Sequence, residues 1–175
     1  MVILVDKNDN AIGQMPKMEA HEKGELHRAF SVFIFNDENK ILMQQRAEDK
    51  YHSGGLWTNT CCSHPFPGEE TIAAAHRRLF EEMGIKTELS FLFKFTYNAP
   101  FDNMLTEHEI DHVFAGKTNE IPSINRNEVE SYKYMSISEI KDEISTHSGH
   151  FTVWFRIIFD EFLHKFESHH TSIPI

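Results

Sequence analysis

Cysteine is almost absent from this chain. It has two in 175 residues, adjacent as Cys61 and Cys62. A bridge between chain neighbours closes a strained ring with poor disulfide geometry. The pair therefore reads as free thiols of a reducing compartment, and a cytoplasmic location is expected. Long apolar runs are missing too. Nothing approaches the roughly 18 apolar residues of a membrane-spanning helix. The opening MVILVDKND has no basic region ahead of its short apolar run, so it reads as a first strand and not as a signal peptide. Positive charge is scarce: 17 Lys and Arg stand against 27 Asp and Glu, a formal charge of −10. Nucleic-acid binders draw much of their affinity from cations that neutralise phosphates, so that partner is excluded, as is an electrostatic membrane anchor. A small phosphorylated ligand that arrives with a divalent metal remains compatible with the charge.

What is present is an ordinary globular composition, 40% hydrophobic and 25% charged, without repeats or low-complexity segments. The length suits one domain over residues 1–167, followed by a loosely ordered tail, residues 168–175 (SHHTSIPI). Val2–Val5 reads as a strand, with a turn before Ala11-Ile12-Gly13, and Lys17–Glu25 as helix or loop. Ala29–Phe35 (AFSVFIF) is a strong strand, and Lys40–Arg46 follows at hairpin distance and should pair with it. Ala47–Leu56 is a loop, and Trp57–His64 leads into Pro65 and Pro67-Gly68, with Cys62 in a loop ahead of these prolines. Glu70–Met83 is a helix with Ile72, His76, Leu79, Phe80 and Met83 on one stripe. Leu89–Tyr97, Glu107–Ala115 and Glu130–Met135 are strands. Ser136 with Glu139 forms a capping box for a helix to about Thr146, and Phe151 to Phe166 form an apolar face on a last helix. The order predicts an α/β fold, a mixed central sheet with helices on both faces.

Twelve histidines are many for this length, and histidine is the commonest metal ligand. Glu107 and Glu109 lie two apart on a strand and share a face, with Asp111 next along it. Buried together, such carboxylates require compensating positive charge, which a metal ion supplies; a solvated edge strand fits the same spacing. His21, His27 and His64 could complete a site for Zn²⁺, Mn²⁺ or another divalent ion. Cys61 suits a small buried hydrophobe. Cys62, two residues from His64, is the candidate reactive thiol, and nearby positive charge would lower its pKa.

The segment from Ser63 to Ile85 resembles the Nudix box, a loop–helix–loop whose glutamates hold Mg²⁺ against a diphosphate. Glu69, Arg77, Glu81, Glu82 and Gly84 match it. Ser63 replaces the opening glycine, and Arg78 replaces a glutamate that is a main metal ligand in the hydrolases. That replacement argues against diphosphate hydrolysis. LHRAFSVFIF, QQRAEDK, WTNTCCSHP, RRLFEEMG and EHEIDHVF, in this order, resemble type I isopentenyl-diphosphate isomerases, from about Lys17 to Trp154. Ser53-Gly54-Gly55 and Val153 depart from the family pattern without touching a matched ligand.

The resemblance implies a Nudix-like α/β/α sandwich and interconversion of isopentenyl and dimethylallyl diphosphate by protonation and deprotonation. Cys62 and Glu109 match the acid–base pair, with Tyr97 assisting and Trp154 facing a carbocation. His21, His27, His64, Glu107 and Glu109 match a site for Mn²⁺, Zn²⁺ or Mg²⁺. Glu82 matches the ligand of a Mg²⁺ that arrives with the diphosphate. Lys17, Arg46, Lys50, Ser63 and Arg78 match diphosphate contacts. A monomer or weak homodimer is expected. A Nudix pyrophosphohydrolase and a non-catalytic metal-binding module are the rival readings.

Overall fold

The computed structural model describes residues 1–50, 53–100 and 104–166. The expected tail at 168–175 lies outside them, as do His52 and Asn103. The described elements, in chain order, are β1 (Val2–Val5), β2 (Ala11–Met15), α1 (Lys17–Lys23), β3 (His27–Phe35), β4 (Ile41–Arg46), β5 (Trp57–Thr58), β6 (Cys61–Ser63), α2 (Thr71–Met83), β7 (Ser90–Pro100), β8 (Thr106–Lys117), β9 (Val129–Met135), α3 (Ile137–His147) and α4 (Val153–Phe166). A short 3-10 turn, Ser148–His150, follows α3.

β3 is the axis of the molecule. Its side chains alternate between two cores. Phe33 and Phe35 pack with Phe155, Ile158, Phe159 and Phe162 of α4 on one face. Phe30, Val32 and Ile34 pack with Ala74, Ala75, Leu79 and Met83 of α2 on the other. A strand covered on both faces has no polar side, which is why AFSVFIF is apolar except for Ser31. β3 runs parallel to β8, from His27 opposite Glu109 to Phe35 opposite Lys117. β7 is antiparallel to β8. The sheet is therefore mixed and covered by helices on both faces, as the element order predicts.

The expected β3–β4 hairpin is largely absent. The two strands pair only where Phe35 meets Ile41 and then diverge. The segment Trp57–Ser63 fills the gap as two strands, so Cys62, expected in a loop, lies on a strand. β5 pairs with β4 through Gln44–Thr58 and Gln45–Trp57. β6 pairs with β3 through Ser31–Cys62 and Val32–Cys61. Thr60, between them, stitches the split. Its hydroxyl accepts from the Ile34 amide at 2.9 Å and donates to the Leu42 carbonyl at 2.6 Å. Asn59 Nδ2 donates to the Val32 and Cys61 carbonyls, and Gln44 Nε2 to the Thr60 carbonyl. These side chains satisfy backbone groups that a continuous ladder would have paired.

The α2 stripe also differs from expectation. Ile72 and Phe80 are exposed, while Ala74, Ala75, Leu79, Glu82 and Met83 are buried. The small alanines let α2 approach the sheet closely. Gly84 ends the helix at φ 69°, and a Cβ there would stand 2.7 Å from Ser123, so both conformation and space call for glycine. Ser136 and Glu139 form the expected capping box on α3. Phe151 is not part of the last helix. It precedes α4 and bridges to Trp57, and Thr152 N donates to the Trp57 carbonyl.

Candidate active site

The split in the sheet positions the chemistry. β6 and β8 flank β3 on its two sides, so Cys62 and Glu109 stand across a floor made by Ala29 and Ser31. Both line one cavity of about 390 Å³, open to solvent, together with Lys17, Arg46, Ser63, His64, Tyr97, Glu107 and Trp154. Alternation along β6 explains the cysteine pair. Cys61 turns into the α2 core and is fully buried. Cys62 turns to the cavity and packs against the α4 core.

His21 of α1, His27 at the start of β3, His64 after β6 and Glu109 of β8 converge. Each offers a ligand atom, and these atoms lie within 4.8 Å of one another. The three imidazole Nε2 atoms stand 3.9, 3.3 and 3.0 Å from the same oxygen, Glu109 Oε1. α1 is held over this point by His108, whose Nδ1 donates to the Gly24 carbonyl at 3.0 Å. The donor set fits a divalent ion on a specific ground. His27 Nδ1 lies 2.8 Å from the Glu25 carbonyl and donates to it. In the neutral ring this leaves a lone pair on Nε2, and Nε2 is buried without a hydrogen-bond partner. A lone pair and a carboxylate oxygen facing each other at 3.3 Å require a cation between them, a proton or a metal.

The electrostatics follow from burial. Desolvation carries His21 down to about 3 and His64 down to about 4. His27 is desolvated too, but its contact with Glu109 outweighs this and raises its pKa. Burial opposes ionisation of Glu109, yet the His27 and His64 contacts hold it well below the usual carboxylate range. Glu107 goes the other way: burial, then repulsion from Glu109, raises it well above that range. Glu107 falls outside the four-ligand cluster but is joined to Glu109 through Tyr97. The phenol oxygen lies 3.0 Å from Glu107 Oε2 and 2.7 Å from Glu109 Oε2.

One expectation is reversed at Cys62. Burial, only partly offset by Arg46, pushes its thiol up to about 12. Glu82, Glu107 and Asp111 add to the rise. Acidic surroundings therefore keep this thiol protonated rather than activating it as a thiolate.

The residues matched to diphosphate contacts separate into two groups. Lys17, Arg46 and Ser63 line the cavity. Lys50 and Arg78 belong to a neighbouring network with Glu82 and Glu128. Arg78 contacts Glu82 Oε1 at 2.6 Å and Glu128 at 3.4 Å, and Lys50 pairs with Glu128. Gln44 Nε2 donates to Glu82 Oε2 at 2.8 Å. Glu82 is buried and forms the inner end of this network. Trp154 lies at the start of α4, buried on the cavity side, and the Arg46 guanidinium stands 5.0 Å from its ring centroid. That is cation–π distance.

Sequence reasoning missed Gln44, Asn59, Thr60 and Glu128. Glu128 pairs with residues 50 and 78 positions away in sequence order only after folding, so no local pattern marks it. Thr60 and Asn59 carry a signal in retrospect: side chains that mimic backbone donors and acceptors, where two strands part.

The fold is that of the Nudix class. A family model described as NUDIX domain matches residues 25–155. The crystal structure of a MutT protein from Methanosarcina mazei Go1 superposes with a TM-score of 0.66 at 17% identity, covering 84% of this chain and 96% of that one. A relative named isopentenyl-diphosphate Delta-isomerase from Pectobacterium atrosepticum is 57% identical over 158 residues, covering 90% of this chain and 88% of its own. One of the same name from Serratia proteamaculans is 49% identical with the same coverage. The chain belongs to the isopentenyl-diphosphate Delta-isomerase family within that class.

Proposed function

We propose that this chain interconverts isopentenyl diphosphate and dimethylallyl diphosphate. The observation that carries the reading is the opposition of Cys62 and Glu109 across one cavity, with Tyr97 hydrogen-bonded to Glu109. Moving an unactivated double bond requires a proton added at one carbon and another removed two carbons away. Two acid–base groups on opposite walls serve both carbons without rotation of the substrate. In one direction the first donates and the second accepts; in the reverse direction they exchange roles. The intermediate between the steps is a tertiary carbocation, which the face of Trp154 would stabilise.

His21, His27, His64 and Glu109, with Glu107 beside them, would hold a divalent ion, Mn²⁺, Zn²⁺ or Mg²⁺. When bound, that ion neutralises the buried carboxylates and fixes the orientation of Glu109. Glu82 would bind Mg²⁺ arriving with the diphosphate. Lys17, Arg46 and Ser63 would hold the diphosphate at the cavity, with Lys50 and Arg78 completing its charge balance. A cytoplasmic monomer or weak homodimer is the setting we assign. Among the described residues no helix is long and apolar enough to cross a membrane.

The test is incubation with isopentenyl diphosphate and Mg²⁺, followed by product analysis. Dimethylallyl diphosphate is expected. Release of phosphate or pyrophosphate without it would establish a hydrolase instead. Cys62→Ala and Glu109→Gln should each lower turnover by about 10²- to 10⁴-fold. Cys62→Ala should keep the bound metal and Glu109→Gln should lose it. Parent turnover in Cys62→Ala would remove the thiol from the mechanism.

A further inference from the structure

We propose a second metal site, on the outer side of α3, formed by Glu143, His147 and His150 and taking a borderline divalent ion such as Zn²⁺. It lies apart from the His21–His27–His64–Glu109 cluster and shares no residue with it. Glu143 and His147 are four residues apart on α3 and so occupy one face of the helix. The 3-10 turn then brings His150 back over the same face. One ligand atom from each residue lies within 4.8 Å of the other two. His150 Nδ1 is 3.0 Å and His147 Nδ1 3.9 Å from the same oxygen, Glu143 Oε1. The two imidazole rings are 4.9 Å apart and nearly parallel, at 6°.

This arrangement has a simple electrostatic consequence. Two stacked imidazoles that share one carboxylate oxygen cannot both carry a proton without like-charge repulsion. A single divalent ion satisfies both rings and the carboxylate together. Two imidazoles and one carboxylate, with the remaining coordination positions left to water, are a donor set that Zn²⁺ takes in three-ligand protein sites. The His147 and His150 side chains are 57% and 58% exposed, so an ion reaches them from solvent, displacing the 3.0 Å contact between His147 Nδ1 and the Thr146 hydroxyl.

The place in the fold gives the site a consequence. The turn that carries His150 hands the chain to Phe151 and Thr152, both tied to Trp57. Two residues later comes Trp154, which lines the cavity. An ion bound here pins the end of α3 to the segment that presents Trp154.

Zn²⁺ uptake by the full chain and by the double variant His147→Ala/His150→Ala, counted after equilibrium dialysis, tests the proposal. Both retain the buried cluster, so the difference isolates the new site. The parent should take up one equivalent more than the variant. Glu143→Gln, which keeps both rings, should weaken that equivalent tenfold or more rather than abolish it. Equal uptake by parent and double variant overturns the proposal. Circular dichroism checks that the variants fold. A measurement on the parent alone stands independent of that check: Ni²⁺ should broaden the His147 and His150 ring signals in NMR spectra. Ring signals unchanged by Ni²⁺ also overturn it.

Discussion

Tyr97 and Glu109 sit directly opposite each other in the β7–β8 ladder, with the phenol oxygen 2.7 Å from Glu109 Oε2 and 3.0 Å from Glu107 Oε2. One phenolic hydrogen serves one acceptor. The hydroxyl can donate to either carboxylate, and Glu109, held well below the usual carboxylate range while burial raises Glu107, is the stronger acceptor. The three groups form one hydrogen-bonded chain that ends at the cavity. Tyr97→Phe keeps the ring, which stacks on Phe95 at 5.7 Å, and cuts the chain. Turnover should fall by about 10²-fold with metal content unchanged. Stability should fall by about 1–3 kcal/mol, the cost of leaving a buried polar partner unsatisfied. Steady-state kinetics and metal analysis of the purified variant check this, and a parent-like kcat would remove Tyr97 from proton delivery.

Asp111 sets an unusual pH dependence. It is 1% exposed. Burial and then the charge of Glu109 raise it to about 8, and the Ser31 hydroxyl offsets little of this. In the unfolded chain the carboxyl loses its proton above its ordinary value of 3.8, whereas in the folded chain it keeps it to about 8. Between those values the unfolded state binds fewer protons, so this group makes stability fall as pH rises. That is opposite to a salt-bridged aspartate. Asp111→Asn removes the dependence. In EDTA-treated protein, urea unfolding should show the variant gaining on the parent from pH 5 to pH 8, by at most about 1.4 kcal/mol per pH unit. The contributions of His21 and His64 are common to both proteins and cancel in the difference. A parent–variant difference that stays flat with pH would mean Asp111 is ionised in the fold.

The site was more legible in the sequence than the sheet that builds it. Glu107, Glu109 and Asp111 show a shared face by their spacing alone, because strand alternation is a local property. The matched histidines converge as the motifs implied. The β3–β4 hairpin misled because Asn36 to Asn39 does make a turn, while the strands beyond it are parted by a segment some 20 residues later in the chain (Trp57–Ser63). That wedge depends on Thr60 replacing ladder hydrogen bonds, which no periodicity records. The α2 stripe misled for a related reason. Apolar size pointed to Ile72 and Phe80, but the sheet selects the face whose alanines allow close approach. The sign of the Cys62 shift required its burial and the positions of three carboxylates on two other elements, α2 and β8.

Arg78 occupies the position of a Nudix-box glutamate, and its contacts show what the exchange does to the fold. It pairs with Glu82 at 2.6 Å, where Glu82 is buried, and reaches Glu128. Arg78→Glu would restore the box pattern but place a second carboxylate beside a buried one. The loss of a charged hydrogen bond of about 1.5–3 kcal/mol and the added repulsion should lower the urea midpoint. Hydrolysis of isopentenyl diphosphate should not appear, because the cavity with Cys62 and Glu109 is unchanged. Arg78→Met, which removes the charge without reversing it, should be destabilised less. Phosphate release by Arg78→Glu would show that this one position divides isomerase from hydrolase.

Thr60 links the fold to the chemistry most directly. Its hydroxyl is fully buried and serves both parted strands, accepting from Ile34 N and donating to Leu42 O. Thr60→Val preserves the shape and removes the hydroxyl. The Ile34 amide and the Leu42 carbonyl then lose a partner in a dry interior, at about 1–3 kcal/mol each. The strain falls on the neighbouring residues of the wedge, and Cys62 is two residues away in β6. Turnover should therefore drop further than the stability loss explains, with kcat affected more than KM, because Lys17 and Arg46 are carried by other elements. Urea unfolding together with kcat and KM separates the two effects. A variant that is destabilised but turns over like the parent would show that β6 holds Cys62 in place without the stitch.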